Sequence, residues 1–295
     1  MVDGDARSEL LSTDWNQEWM RLQAGRRRAD DSFAWDKRAR HFRPLETAPY
    51  ARDFMKLLAL KPGESVLDMG CGAGSIAIPL AQAGHPVIAA DFSPAMLGTL
   101  DAGIEYYGLD GLVTPLELAW DDDWDLVGPV AKTVDVAFAS RSVTTNDLKG
   151  ALAKLDRTAR RRCAVTMVAN SSPRYDLHLM NAIGASVTCS NGFVYAFNIL
   201  IQMGALPQVT YFESPRRDTF DSLEAGVADF SRMLEHGNED KVDRLRDYIA
   251  QHMIENPHAG EPGSKGVPQG CYMLDHIRKV RWAFIAWEPV SESRS

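Results

Sequence analysis

Residues 66–74 read Val-Leu-Asp-Met-Gly-Cys-Gly-Ala-Gly, and this stretch decides the fold. Val66 and Leu67, preceded by Lys61-Pro62-Gly63, form the entry to a buried strand. The strand ends in a carboxylate, Asp68, and glycines follow at alternate positions 70, 72 and 74. A helix-compatible run from Ser75 to Ala83 comes next. Strand, glycine turn and helix together make a cradle at the carboxyl edge of a parallel sheet, where ligands of open α/β folds bind. Glycine suits such a turn because it tolerates positive φ and lets the backbone close on a ligand.

The spacing narrows the ligand. A dinucleotide fingerprint is G-x-G-x-x-G, and here Ser75 stands where its third glycine belongs. A pyrophosphate seeks free N–H groups at a helix N-terminus, and Asp68 would repel it. The same acid suits a cation. The bland alternative is a tight strand-to-helix turn with no ligand. A second strand, 86–90, also ends in an acid, Asp91, which lies 23 residues beyond Asp68. That is near the spacing of about 20 expected for a ribose-binding carboxylate. Phe92 and Met96 can pack on a flat base. Ser93 followed by Pro94 reads as a helix cap with proline in the first turn.

With VLDMGCGAG (66–74) and AADFSPAML (89–97) on the page, the chain resembles the class I, Rossmann-like S-adenosylmethionine-dependent methyltransferases. LELAWDDDW (116–124) and VDVAFASRS (134–142) fit the same pattern more loosely. The resemblance covers about 50–170. It implies a doubly wound α/β fold: a seven-stranded, mostly parallel sheet with strand seven antiparallel between strands five and six. It implies S-adenosyl-L-methionine as cofactor and S-adenosyl-L-homocysteine as product. By the resemblance, Asp68, Gly70, Cys71 and Gly72 hold the methionine part and Asp91 the ribose. Phe92, Met96, Trp120 and Asp121 border the adenine, with Asp122 and Asp123 as competing acids. Ser140, Arg141 and Ser142 face the transferred methyl and the acceptor, Arg141 as a partner for an anionic acceptor. His41, Tyr50 and Tyr195 are further acceptor-side candidates, each with a plain packing role as the alternative. No residue is assigned as general base. Such a transfer is an in-line displacement on an activated methyl, so alignment of donor and acceptor can supply roughly 7–11 kcal/mol at best.

Related enzymes that methylate planar nitrogens often carry an acid or Asn, then Pro-Pro and an aromatic, after strand four. Here that place holds Ser140-Arg-Ser-Val143, which favours a small-molecule acceptor. Two other readings stay open: a regulatory protein that binds the cofactor without catalysis, and an NAD(P)-dependent oxidoreductase. Binding of S-adenosylhomocysteine against NADH separates the second from the first two.

Composition agrees with this class. A chain of 295 residues with 45% hydrophobic content can bury a full α/β core. The net charge of −8 argues against nucleic acid as partner. The short runs Arg26–Arg28 and Arg160–Arg162 read as solvated faces. Cys71, Cys163, Cys189 and Cys271 show no zinc or disulfide spacing, so reduced thiols and a cytoplasmic location are expected. The seven histidines are scattered, and no metal site is expected. No apolar run is long enough for a membrane span. A monomer and a homodimer both remain open.

Along the chain, residues 1–60 read as an N-terminal helical cap or lid, with Trp15, Trp19 and Leu22 on one stripe. Residues 61–295 read as the Rossmann-like domain, with insertions near 170–191 and 221–277. Strands are expected at 64–68, 86–90, 113–118, 134–139 and 163–169, then from 208 and from 280. Helices are expected at 75–83, 94–107, 147–160 and 192–204, the last apolar nearly all round and buried. Residues 221–236 and 239–254 read as exposed amphipathic helices.

Overall fold

The structure, a computed structural model, describes residues 12–24, 49–129, 131–143, 145–234, 238–263 and 267–290. Of the cap, two helices are described: α1 (Trp15–Ala24) and α2 (Pro49–Leu58). His41, the aromatic residues 33, 35 and 42, and Arg26–Arg28 lie outside the described residues.

The wound half follows in strict alternation. It runs β1 (Val66–Met69), α3 (Ala77–Gln82), β2 (Val87–Asp91), α4 (Pro94–Tyr107), β3 (Val113–Glu117), α5 (Trp124–Val127) and β4 (Val134–Ser140). It continues with α6 (Leu148–Thr158), β5 (Ala159–Val168), α7 (Leu177–Ala182), α8 (Gly192–Gln202) and β6 (Gln208–Arg216). Then come β7 (Thr219–Phe220), α9 (Leu223–Ser231), α10 (Val242–His252), β8 (Met253–Glu255), β9 (Tyr272–Leu274) and β10 (Arg278–Trp287).

The main sheet has seven strands in the order β3-β2-β1-β4-β5-β10-β6. β1 runs parallel to β2 and β4, while β10 runs antiparallel to both β5 and β6. This is the expected seven-stranded sheet with one reversed strand. Every residue of β1 is buried because helices cover both faces of the sheet. On one face Val66, Val136, Phe138 and Phe284 pack under α2, α3 and α4 through Phe54, Leu80 and Leu100. On the other, Leu67, Ala137 and Val165 pack under α5, α6 and α8 through Trp124, Leu152 and Ile199. Among the described residues no helix is long and apolar enough to cross a membrane.

The α1 stripe faces inward: Trp19 is buried, and its indole N–H donates to the Thr145 carbonyl at 2.8 Å. In α8, Ala196, Ile199 and Leu200 are buried, while Phe193 and Tyr195 are half-buried.

Four local expectations change. Residues 159 and 160 are strand and not the end of a helix, and the strand expected from 163 starts four residues earlier: α6 stops at Thr158, and β5 begins at Ala159 beside Val134. The arginine run therefore sits along a strand start, where Arg161 meets Glu64 at 2.6 Å and Arg160 meets Asp135 at 3.3 Å. The segment 170–191 holds a short helix, α7, whose N-cap Asp176 accepts from the His178 and Leu179 amides. Finally, α9 and α10 are not merely exposed. With α7 they enclose a second core of Leu179, Phe230, Leu245 and Ile249, closed by a small sheet in the order β7-β9-β8. Met253 and Ile254, expected at the end of a helix, belong to that sheet.

Phe54 is fully buried, with ring centroids of Phe138 and Phe284 at 5.1 and 5.5 Å. Phe54→Ala is expected to cost about 3–5 kcal/mol of stability. Urea unfolding followed by far-UV circular dichroism measures it. A loss below 1 kcal/mol would mean that α2 does not pack as described.

Candidate active site

The site is built where β1, β2 and β4 end on one edge of the sheet. Gly70, Gly72 and Gly74 have φ of +79°, +54° and +83°. Their reasons differ. A Cβ on Gly70 would meet Ser142 Cβ at 2.2 Å, and one on Gly74 would meet Leu100 Cδ1 at 2.4 Å. At Gly72 the nearest atom is Met96 Sδ at 4.0 Å. Two of the glycines are therefore demanded by packing, and Gly72 opens on space.

Asp91 ties this turn to β2. One of its carboxylate oxygens accepts from the Gly72 N–H at 2.8 Å and the other from the Ser93 N–H at 2.9 Å. The Ala90 carbonyl accepts from the Gly70 and Cys71 amides at 2.7 and 3.0 Å. Ser93 caps α4, its hydroxyl accepting from the Met96 N–H, with Pro94 in the first turn. Met96 is buried under the loop and Phe92 is half-buried beside it. The Cys71 thiol is pushed well up by burial, and Asp68 and Asp91 add to the shift.

Asp68 is the unusual group. It is 2% exposed, and its Oδ2 has no hydrogen-bond partner among the described residues. Burial pushes its carboxyl up to about 8, the neighbouring charge of Asp91 adds to the rise, and Arg141 opposes it. A buried carboxyl without a partner is costly, and a cation placed beside it favours the charged form and so opposes the rise. A donor carrying an ammonium and a sulfonium fits this pair of acids and the opening at Gly72.

Beyond β3, the three consecutive acids separate by what they touch. Asp122 accepts from the Ala119 N–H at 2.7 Å, and Asp123 caps α5 through the Asp125 N–H at 3.0 Å. Asp121 is exposed and reaches across to the Thr145 hydroxyl at 3.2 Å. The Trp120 indole stacks on Trp124 with centroids 5.6 Å apart, and its N–H donates to the Ser142 carbonyl at 2.9 Å. Lys154 donates to the carbonyls of Trp120 and Asp122, which pins this loop to α6.

After β4, the Ser140 hydroxyl lies 2.7 Å from the Tyr50 hydroxyl, which in turn lies 2.6 Å from that of Thr166. Arg141 has φ +62°, a backbone conformation that is uncommon outside glycine. The Thr166 hydroxyl holds it by accepting from its N–H at 3.0 Å. The Arg141 guanidinium stands 3.9 Å above the Tyr50 ring and 5.8 Å from the Trp282 ring. Burial raises the Tyr50 phenol, while Arg141 and the two hydroxyls oppose the rise.

Asp68, Gly70, Cys71, Gly72, Asp91 and Met96 thus meet at one edge, and Ser140, Arg141 and Tyr50 stand next to them. Tyr195 packs on Trp15 and Trp19, edge-on at 6.0 and 5.7 Å. Thr166 and Trp282 escaped sequence reasoning because each sits within an apolar strand and carries no local signature. Among the described residues no group of three or more His, Cys, Asp or Glu is arranged to hold a metal.

Residues 66–162 match the family described as a methyltransferase domain. An uncharacterized protein of Haemophilus influenzae is 32% identical over 260 residues, spanning 86% of this chain and 88% of its own. An uncharacterized methyltransferase of Synechocystis is 49% identical over 41 residues, 14% of this chain and 19% of that protein. The crystal structure of the YcgJ protein of Bacillus subtilis shares the fold, with a TM-score of 0.50 at 12% identity over 82% of this chain and 99% of that one. The chain belongs to the class I S-adenosylmethionine-dependent methyltransferases, and S-adenosyl-L-methionine is its cofactor.

The Asp68 carboxyl binds its proton more tightly in the folded chain, at about 8, than in an unfolded one, at about 3.9. Between those values the folded state holds more protons, so its contribution to stability is full below about pH 4 and is lost as pH rises towards 8. Asp68→Asn cannot ionise. The melting temperature of ligand-free Asp68→Asn, relative to wild type, is expected to rise between pH 5.5 and 8.5. Parallel curves would show that the carboxyl is solvated.

Proposed function

We propose that this methyltransferase acts on a small-molecule acceptor, with the donor lying across the β1–β2–β4 edge. The single observation that carries the reading is the buried, unpartnered Oδ2 of Asp68 beside the opening at Gly72. When bound, S-adenosylmethionine supplies a methyl group already activated by its positively charged sulfur. Asp68 is proposed to sit against the donor's ammonium end, with the Gly70–Gly72 backbone shaping the pocket and Cys71 filling its wall. Asp91, its carboxylate fixed by two backbone N–H groups, is proposed to accept from the ribose hydroxyls, since each carboxylate oxygen can accept more than one hydrogen bond. Phe92, Met96 and Trp120 would border the adenine, and Asp121, the one of the three acids that takes no turn amide, would accept from its amino group.

Ser140 and Arg141 would then face the acceptor. The protein's part is alignment: Tyr50, Thr166 and Trp282 hold Arg141 in one place, so a negatively charged acceptor meets a fixed cation. The net charge of −8 and the Ser-Arg-Ser-Val stretch after β4 support a small molecule over a nucleic acid.

Two variants test the cofactor site. Asp91→Ala is expected to weaken S-adenosylhomocysteine binding by tenfold or more, about 1.4 kcal/mol. Gly72→Val is expected to abolish binding while the circular dichroism spectrum stays that of a folded protein. Calorimetric titration reads both. Unchanged affinity in either would remove that residue from the site.

A further inference from the structure

We propose that the cleft between the far end of the β6–β10 pair and the insertion binds an oxyanion, the carboxylate or phosphate head of an elongated acceptor, through Arg216 and Arg278. The inference rests on the reading of Arg141 as the acceptor-facing residue. Arg216 and Arg278 are register partners on adjacent antiparallel strands, so their side chains are neighbours on one face. Both line a shallow cleft, open to solvent, whose enclosed part is only water-sized, so an anion is bound at its mouth.

Arg278 is 7% exposed. Asp218 approaches its Nε at 2.9 Å and accepts from its Nη2 at 3.0 Å. Its Nη1 is buried and has no hydrogen-bond partner among the described residues. A buried guanidinium N–H without an acceptor is costly, so the group calls for a second acceptor on that side. Arg216 donates to the Pro173 carbonyl at 2.8 Å, a neutral partner that leaves its charge in place. Arg216 is pulled below the usual guanidinium value by desolvation and by the charge of Arg278. Asp218 opposes that shift, and Arg141 adds to it. The two acids of the cleft are already engaged: Asp218 with Arg278, and Asp176 with two amides of α7 and with His276 at 2.7 Å. Arg217 also lines the cleft. The balance is positive, and guanidinium forks match carboxylate and phosphate geometry.

The cleft and the acceptor edge share strand β10. Along β10, Arg278 and Trp282 are four residues apart, roughly 13 Å at the rise of a strand, and the Trp282 ring neighbours the Arg141 guanidinium. An acceptor held by its acid at Arg278 and presented at Arg141 must therefore be elongated.

The test is calorimetric titration of the full chain with inorganic phosphate and, separately, with succinate. S-adenosylhomocysteine is titrated in parallel. One of the two anions is expected to bind one-to-one, and which one does so identifies the head group. Arg216→Gln is expected to weaken that binding at least tenfold, with S-adenosylhomocysteine affinity unchanged within twofold. Arg278→Gln could unfold the insertion because Arg278 is buried on Asp218, so the exposed Arg216 carries the test. No binding of either anion, or equal binding by Arg216→Gln, overturns the proposal. If an anion binds and depends on Arg216 while S-adenosylhomocysteine does not bind, the cleft stands and the cofactor reading falls.

Discussion

Two carboxylates held close together out of water organise this molecule. Parallel pairing of β1 with β2 places the ends of both strands on one edge, with Asp68 next to last in β1 and Asp91 last in β2. Like charges in a low-dielectric site oppose one another, so each needs an answer. Asp91 has one from the chain, the amides of Gly72 and Ser93. The Gly72 amide is brought there by the turn between β1 and α3, which folds back through positive φ, and the Ser93 amide comes from the start of α4. Asp68 receives no such bond at Oδ2. The glycine turn, with Ser142 packed on Gly70 and open space at Gly72, brings backbone to one acid and none to Oδ2 of the other.

A second organising contact sits beside the first. Tyr50 comes from α2, Ser140 from the end of β4 and Arg141 from just beyond it, Thr166 from β5 and Trp282 from β10. One phenol oxygen joins two strands by hydrogen bonds, and the same ring carries the guanidinium on its face. The helix that precedes the sheet is thereby fastened to the strand ends. The unusual φ of Arg141 is sustained by this surrounding structure, as strained residues at working sites are.

Much of this was legible from residues alone. The glycine turn announced β1 and α3, and Asp91 with Ser93-Pro94 announced β2 and α4, because those signals are local. The reversed β10 was legible only through family resemblance, since pairing of distant strands leaves no trace in a short window. Arg160–Arg162 hid the start of β5, because three consecutive cations read as a solvated face until Glu64 and Asp135 are seen across from them. The small sheet of the insertion was invisible: strands of two or three residues are too short to show a period. Thr166 and Trp282 were missed because a functional side chain inside a buried strand looks like its packing neighbours. The role of Tyr195 could not be judged from its helix, because what it meets is Trp15 and Trp19, far away in sequence.

The position of β10 sets an order on events during synthesis. β6 cannot join the main sheet through β5, because the strand that lies between them follows the whole insertion. Until residues 278–287 leave the ribosome, β5 and β6 each present an unsatisfied hydrogen-bonding edge, and such edges invite pairing with other chains. Contacts between elements so far apart in sequence also form slowly. The insertion, with its own core between β6 and β10, is in place to fold first, shortening the distance the late strand has to find.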